Sequence, residues 1–396
     1  MPDYDVSEAL DTDYYAVFSA SGSITDQDRA HWGRARAFID EALPQMNEYW
    51  DRAEYPLHLA KRMGELNLLA DGIEVPGLEP MSPLAAGLVN MEISRGDGSL
   101  GTIVAVQGGL ALRSIAFHGS EAQKERWLGP LARGEELGSF ALTEPDHGSD
   151  SVSLETTAHR EGDHWVLNGE KKWIGNGASG GVTVVWARDD EGNVRGFLIE
   201  QDTEGYDAEV ITGKGSLRAI HQARIRLTDA RIPAENVLPG TKTFKDTSKV
   251  LVATRLGVAW SALGHATACY EAAVNYANQR VQFGRPLATF QLVQDRLSQM
   301  LAELTSMQLH CVHLAALDAR GEMRPTQASM AKYHNTRKAR LIASTARDLL
   351  GGNGILLENH VVRHMMDIES IHTYEGTESV QALLIGRDVT GVGAFA

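Results

Sequence analysis

Cysteine is nearly absent: two residues in 396 cannot build a disulfide framework or a thiolate zinc cage. Cys269 and Cys311 each lie inside an apolar stretch and read as core residues of a reduced, cytosol-like compartment. Positive charge is also short. The 37 Lys+Arg stand against 52 Asp+Glu, a net charge of −15, which argues against a protein built to neutralise phosphates, so no nucleic-acid partner is expected. The longest apolar stretches are broken by charge or glycine short of the ~20 residues a membrane span needs, and no membrane association is expected. The first residues, Met1-Pro-Asp-Tyr-Asp-Val6, lack the basic and apolar regions of a leader, and Val392-Gly-Ala-Phe-Ala396 is no peroxisomal address. The expected location is cytoplasmic. Aromatics make up only 7%, yet 43% apolar and 22% charged residues describe a folded chain and exclude disorder. The length suits two or three domains.

The hydrophobic period changes twice along the chain. From Asp26 to about Glu136 it is helical: Asp26-Gln-Asp28 gives an acidic start, Pro56–Leu66 carries apolar residues at three- and four-residue steps, and Ser120 caps the next amphipathic stretch. Between Gly138 and Thr243 the period is two. Asn168-Gly169, between Trp165-Val-Leu167 and Lys172-Trp-Ile174, predicts a hairpin, and Thr183–Trp186, Gly196–Ile199 and Ala223–Leu227 predict further strands. These make a small antiparallel sandwich or barrel. After Lys245 the helical period returns. Val293, Leu297, Met300, Leu304, Met307, Cys311 and Leu314 form the seam of a long bundled helix, and Thr326–Leu350 forms another, closed by Gly351-Gly352. The expected fold class is α+β: an N-terminal helical domain (1–137), a middle antiparallel β domain (138–244) and a C-terminal four-helix-like bundle (245–396).

Several local patterns carry little chemistry. His360 and His364 stand four apart, a spacing that can present two imidazoles on one helix face, but no third ligand is placed. Glu369-Ser-Ile-His372 resembles half of a di-iron motif; the other match, Glu161-Gly-Asp-His164, falls in a turn between strands. No metal site is expected. Gly351-Gly-Asn-Gly354 reads as a helix end rather than a phosphate cradle, and Gly213-Lys-Gly215 lacks the spacing of a phosphate loop. No dinucleotide fingerprint opens a βαβ unit.

Four segments carry more. They are Phe140-Ala-Leu-Thr-Glu-Pro-Asp-His-Gly-Ser-Asp150, Trp173-Ile-Gly-Asn176, Arg280-Val-Gln-Phe-Gly284 and Tyr374-Glu-Gly-Thr377. With the α–β–α layout, they resemble the acyl-CoA dehydrogenase family over nearly the whole chain, in its glutaryl-CoA dehydrogenase and short-chain acyl-CoA oxidase branch. The fold expected is then that family's. The resemblance implies FAD held by Phe140, Leu142, Thr143, Gly148 and Ser149, with Trp173, Ile174 and Gly175 against the ring. From a neighbouring subunit of a homotetramer it implies Arg280, Phe283, Gln291 and the Asp348–Gly352 turn, including Gly351 and Gly352; Thr377 follows the base. Arg280 is physically apt, because a guanidinium fork matches phosphate oxygens. Ser149, Arg255, Tyr374 and Gly376 are implied on the acyl-CoA side, and electron-transferring flavoprotein as the partner.

Oxidising an acyl thioester at Cα–Cβ needs a desolvated carboxylate to take a weakly acidic α proton while a β hydride leaves. Glu375, between Tyr374 and Gly376, suits that role, and the resemblance places the family's base there; the hydride falls to the flavin, because no side chain can accept it. The implied reaction is dehydrogenation of a short or branched neutral acyl-CoA to trans-2-enoyl-CoA. The alternatives are a decarboxylating glutaryl-CoA dehydrogenase, an oxidase using oxygen, and a catalytically silent family member. Two departures bear on them. Gly175 replaces a Ser or Thr common in the family. Gly101 and Ser94 stand where glutaryl-CoA dehydrogenases carry an Arg and a Glu for the distal carboxylate, while Arg95 matches a different family Arg.

Overall fold

The computed structural model describes residues 24–394 together with 13 and 16–18, so the readings of both chain ends lie largely outside the described residues. Thr25 opens helix α1 (Asp26–Arg52): its hydroxyl accepts from the Asp28 N–H while the Asp28 carboxylate accepts from the Thr25 N–H. Helices α2 (Leu57–Glu65) and α3 (Pro83–Gly96) follow. Asp97 then caps a continuous helical run made of α4 (Gly98–Val104), a π-helical stretch (Ala105–Leu112) and α5 (Arg113–His118). This run corrects the expectation about apolar stretches. Gly98–His118 is 21 residues long with a mean hydropathy of 1.5 in its most apolar window, long and apolar enough to cross a membrane. That window is 72% buried inside the protein, so its apolarity is explained by the core. Helix α6 (Glu121–Ala132) begins at the Ser120–Gln123 reciprocal cap.

Strands β1 (Gly138–Ala141), β2 (Thr157–Glu161), β3 (His164–Gly175), β4 (Val182–Arg188), β5 (Val194–Glu200), β6 (Tyr206–Val210) and β7 (Gln222–Pro233) form one seven-stranded sheet. Its order is β1-β4-β2-β3-β7-β6, with β5 paired to β4. The pairing is antiparallel except for β1–β4 and the single β2–β4 contact at Thr157 and Arg188. The Asn168-Gly169 hairpin is not formed. Strand β3 runs through both residues, and Gly169, at φ 148°, marks a register shift against β7. A Cβ there would lie 2.6 Å from Thr156 Oγ1, so the glycine serves a bulge with close packing rather than a turn. The reversal occurs at Gly162-Asp163, between β2 and β3.

Five helices complete the chain: α7 (Phe244–Gln279), α8 (Gln291–Asp318), α9 (Pro325–Leu349), α10 (Val361–Thr373) and α11 (Glu378–Thr390). The α8 seam packs as its spacing predicts, with Met300, Leu304, Met307, Cys311 and Leu314 buried and Val293 and Leu297 partly so. Helix α7 lies centrally against α3, α8, α9 and α10. Its inward positions Ala259, Ala262, Ala266, Ala273 and Ala277 are fully buried, and small side chains let the neighbouring axes approach. The two-imidazole face is also corrected. His360 is the N-cap of α10 at φ 60°, outside the helical repeat, whereas His364 pairs with His265 of α7, Nδ1 to Nδ1 at 2.9 Å. Glu369 turns to Arg340 on α9.

One buried ion pair fixes the loop after β1. Lys171 of β3 is fully buried, and its Nζ donates to Glu144 Oε1 at 2.8 Å, the Trp186 carbonyl at 2.7 Å and the Leu142 carbonyl at 3.2 Å. Glu144 also accepts from the N–H groups of Glu155 and Thr156 and from the Thr156 hydroxyl. Burial opposes its charge, but Lys171 and these donors hold the carboxyl down at about 2. A group depressed in this way stabilises the fold fully above its ordinary value of 4.5, and the contribution fades as pH falls towards about 2. Lys171→Met leaves the carboxylate buried and unpaired. The expected loss is about 3–5 kcal/mol, read as a lower thermal midpoint at matched FAD loading; an unchanged midpoint would show the pair to be dispensable.

Candidate active site

The four residues Tyr374-Glu-Gly-Thr377 link α10 to α11, and the Thr377 hydroxyl caps α11 by accepting from the Val380 N–H. Within this link Glu375 has φ 51° and Gly376 φ 84°. A glutamate in left-handed backbone is strained and persists only where its surroundings fix it. The fixing groups are two buried side chains. Lys332 of α9 donates through Nζ to the carbonyls of Tyr374 and Gly376, and Gln381 of α11 donates to those of Glu375 and Gly376, both at 3.1 Å. Gly376 is required here twice over, because a Cβ would also lie 2.5 Å from Gln381 Nε2. No hydrogen bond among the described residues uses the Glu375 N–H.

The Glu375 side chain lies half-buried in a small, narrow cleft. Helix α7 gives one wall, with Thr254, Gly257, Val258 and Ser261; the π-helical stretch gives Ala105 and Gly109. Asp71, Asn90 and Tyr374 complete the lining. The Thr254 hydroxyl donates to Glu375 Oε2 at 2.5 Å. Burial pushes the Glu375 carboxyl above the ordinary glutamate range and Asp71 adds to that, while Thr254, Lys332 and Arg255 oppose it. Burial also pushes Lys332 down, to about 7. The cleft thus holds a carboxylate whose proton affinity is raised but whose charge has two cations within electrostatic reach. Such a group can act as a general base at neutral pH.

Arg255 adjoins Thr254 and Ser329 and keeps its buried Nε without a partner, a donor available to an incoming anion or carbonyl. Gly101 faces Ser94 so closely that a Cβ would lie 2.3 Å from Ser94 Oγ. Arg95 is held by Glu92 and Glu271 at 3.1 and 2.7 Å, and Arg113 by the Asp71 carboxylate at 2.8 Å. Neither arginine is free to meet a substrate.

The other expected site residues fall into two groups. Phe140, in β1, and Leu142 are buried; on the loop anchored by Glu144 and Lys171, Thr143 is half-buried and Gly148 and Ser149 are exposed. Beside that loop, the Thr143 carbonyl accepts from the Lys172 N–H. Trp173 then stands out of β3 at φ 66° with 54% exposure, at a second register shift, while Ile174 and Gly175 are buried. A Cβ on Gly175 would lie 2.8 Å from Val106 Cγ2 of the π-helical stretch, so this glycine is where the sheet and that helix touch. Arg280, Phe283, Gln291, Asp348, Gly351 and Gly352 gather instead on the exposed end of α7, α8 and α9, with Phe283 at 93% exposure. No hydrogen bond among the described residues joins them to the Thr143–Trp173 group. An open glycine loop and an exposed indole held in strained backbone fit a large planar group with a phosphate tail.

Sequence reasoning missed Thr254, Lys332, Gln381, Asp71 and Asn90. Only Lys332 carried a signal. It falls on the buried stripe of α9 with Ala328, Ala331, Asn335, Ala339 and Ile342, where a lysine needs a buried acceptor.

The acyl-CoA dehydrogenase N-terminal, middle and C-terminal domain families match residues 25–135, 139–230 and 244–390. The rat mitochondrial short-chain specific acyl-CoA dehydrogenase is 36% identical over 359 residues, covering 88% of this chain and 87% of that protein. The structure of Mycobacterium smegmatis glutaryl-CoA dehydrogenase superposes with a TM-score of 0.94 at 40% identity, over 97% of this chain and 99% of that one. A second glutaryl-CoA dehydrogenase structure from that organism, in complex with FADH2, gives 0.93 at 38%, over 96% and 98%. The chain belongs to the acyl-CoA dehydrogenase family, whose members are FAD-dependent oxidoreductases.

Lys332→Met removes the donor to the Tyr374 carbonyl and one of the two donors to the Gly376 carbonyl. Amide hydrogen exchange over residues 374–377 is expected to quicken by at least about tenfold while α9 itself stays protected. Unchanged exchange in the loop would show that Gln381 alone holds it.

Proposed function

We propose that the protein dehydrogenates a short or branched neutral acyl-CoA to its trans-2-enoyl-CoA and passes the electrons to an electron-transferring flavoprotein. In this reading the enzyme is a homotetramer, with domain limits near residues 137 and 244. The observation that carries it is Glu375: a carboxylate of raised proton affinity, in strained backbone, facing a narrow cleft. When bound, FAD supplies the acceptor for the two electrons that leave with the β hydrogen. Leu142, Thr143, Trp173 and Ile174 would hold it within one subunit, and Arg280, Phe283, Gln291 and the Asp348–Gly352 turn would meet it from a neighbour. Glu375 takes the α proton. Its own N–H, which no hydrogen bond among the described residues uses, would donate to the thioester oxygen where negative charge gathers. Arg255 and Lys332 stay outside the reacting atoms and stabilise the charge as it moves.

The similarity to glutaryl-CoA dehydrogenases supports a second reading, use of glutaryl-CoA. The acyl cleft favours the neutral substrate. Gly101 is filled by Ser94, Arg95 and Arg113 are committed to carboxylates of the protein, and Arg255 stands at the base end beside Thr254 and Glu375, so a distal carboxylate further along the cleft would be buried without a paired cation. That penalty amounts to several kcal/mol, and each ~1.4 kcal/mol is tenfold in rate.

Two measurements test the proposal. Butyryl- or isobutyryl-CoA is expected to exceed glutaryl-CoA by at least about a hundredfold in kcat/KM; comparable turnover of glutaryl-CoA would reverse the choice of substrate. Glu375→Gln should keep FAD and acyl-CoA while slowing anaerobic flavin bleaching by roughly 10²–10⁴-fold. Bleaching at the wild-type rate would remove Glu375 from the chemistry.

A further inference from the structure

The acyl cleft runs along one face of α7, and its two ends differ in chemistry. Thr254, at the base end, touches Glu375; Gly257 and Val258 lie one turn on, and Ser261 lies another turn deeper. From Thr254 to Gly257 the distance along the helix is about 4.5 Å at 1.5 Å per residue, roughly the reach from the α carbon to the fourth or fifth carbon of an acyl chain. A hydrocarbon tail calls for aliphatic walls at that depth. The cleft offers only Val258 and Ala105.

The deep end is hydrogen-bonding instead. Asn90 of α3 is 3% exposed and lines the cleft, and a Cβ on Gly257 would lie 3.2 Å from its Nδ2. Asn90 Oδ1 lies 3.5 Å from Ser94 Oγ, which in turn donates to Ser261 Oγ at 2.9 Å. Among the described residues, no hydrogen bond uses Asn90 Nδ2. A side-chain donor that lines a binding cleft and has no partner in the protein is open to what the cleft holds. The amide carries no charge, Arg95 and Arg113 are held by carboxylates of the protein, and Arg255 stands at the base end beside Glu375, so a neutral oxygen is the partner that suits the amide.

We propose that the acyl group of the natural substrate bears an uncharged oxygen, a hydroxyl or a carbonyl, at C4 or C5, and that Asn90 is the residue that selects it. This rests on the acyl-CoA reading above and narrows its substrate class. The oxygen is recognised and not transformed: the α proton and the β hydride still leave from C2 and C3, and the C–O bond is untouched. A site built to bond such an oxygen discriminates against the tail that lacks it, because the plain tail leaves the amide buried and unpaired.

The test compares 4-hydroxybutyryl-CoA with valeryl-CoA, whose acyl groups have the same number of heavy atoms, on the FAD-loaded enzyme with a dye acceptor. The wild type is expected to favour the hydroxylated substrate by at least about tenfold in kcat/KM. In Asn90→Leu that ratio should fall to about one or invert. Where Asn90→Leu fails to retain FAD, Asn90→Ser, which removes the amide without adding volume, gives the same readout. A wild-type preference for valeryl-CoA overturns the proposal, and so does a ratio that the Asn90 variants leave unchanged. If no acyl-CoA bleaches the flavin at all, the acyl-CoA reading has failed and the proposal falls with it, an outcome distinct from a plain-tail preference.

Discussion

A buried lysine amine bonded to two backbone carbonyls is the constraint on which the site depends. Lys332 holds the carbonyls of Tyr374 and Gly376, and Gln381 holds that of Glu375 and shares that of Gly376. With the three carbonyls turned into the protein, Glu375 keeps a backbone conformation that an unsupported glutamate would leave. The same lysine is a charge beside the carboxylate, opposing the effect of burial. One side chain therefore sets both the position of the group and part of its proton affinity. It can do so because α9 and α7 pack on either side of the loop, α9 bringing Lys332 and α7 bringing Thr254 and Arg255.

The rest of the fold aligns the β sheet with that helical frame through contacts that only glycine allows. Gly175 lets the end of β3 rest on Val106, and Gly108 accepts the Leu69 carbonyl where a Cβ would lie 2.1 Å away. Both partners belong to the Gly98–His118 run or press against it, and its middle is π-helical. A π-helical stretch rotates the following side chains relative to an α-helix, and such stretches collect at functional sites. Here it puts Ala105 and Gly109 on the cleft, leaving room for substrate, and turns Val106 towards the sheet. Trp173, on the strand that Gly175 seats, is thereby held at a fixed position relative to Glu375 across two layers of the molecule.

Much of this was legible in the sequence because it is local. The acidic start of α1, the cap at Ser120, the α8 seam and the changes of period all depend on residues a few positions apart, and short-range spacing is what sequence displays. The failures were places where local chemistry is shared by two structures. Asn168-Gly169 satisfies a tight turn and a bulge equally, and the partner that decides, Thr156, is a neighbour only across the sheet. His360 and His364 have helical spacing, but the helix begins between them. The motif around Glu375 pointed to the carboxylate itself. Lys332, Asp71 and Asn90 come from three separate elements, and nothing short of the tertiary fold brings them to it.

The charge inventory of the cleft explains why the proposed proton transfer suits this frame. Before transfer, the negative charge sits on Glu375, with Asp71 paired to Arg113 and with Lys332 and Arg255 nearby. After transfer, the carboxyl is neutral and the charge lies on the thioester oxygen, beside the Glu375 N–H. The charge has moved between two groups of one residue's neighbourhood, so the same two cations face it at both ends of the step. No side chain must reorient and no water must enter, which is the condition under which fixed dipoles and charges lower a barrier most. A frame arranged for a charge that moves a short distance is poorly arranged for a second, permanent charge further along the cleft. The neutral, hydrogen-bonding deep end around Asn90 and Ser261 is the counterpart of that arrangement: it can hold a polar tail without adding a charge to the field that acts on the reacting atoms.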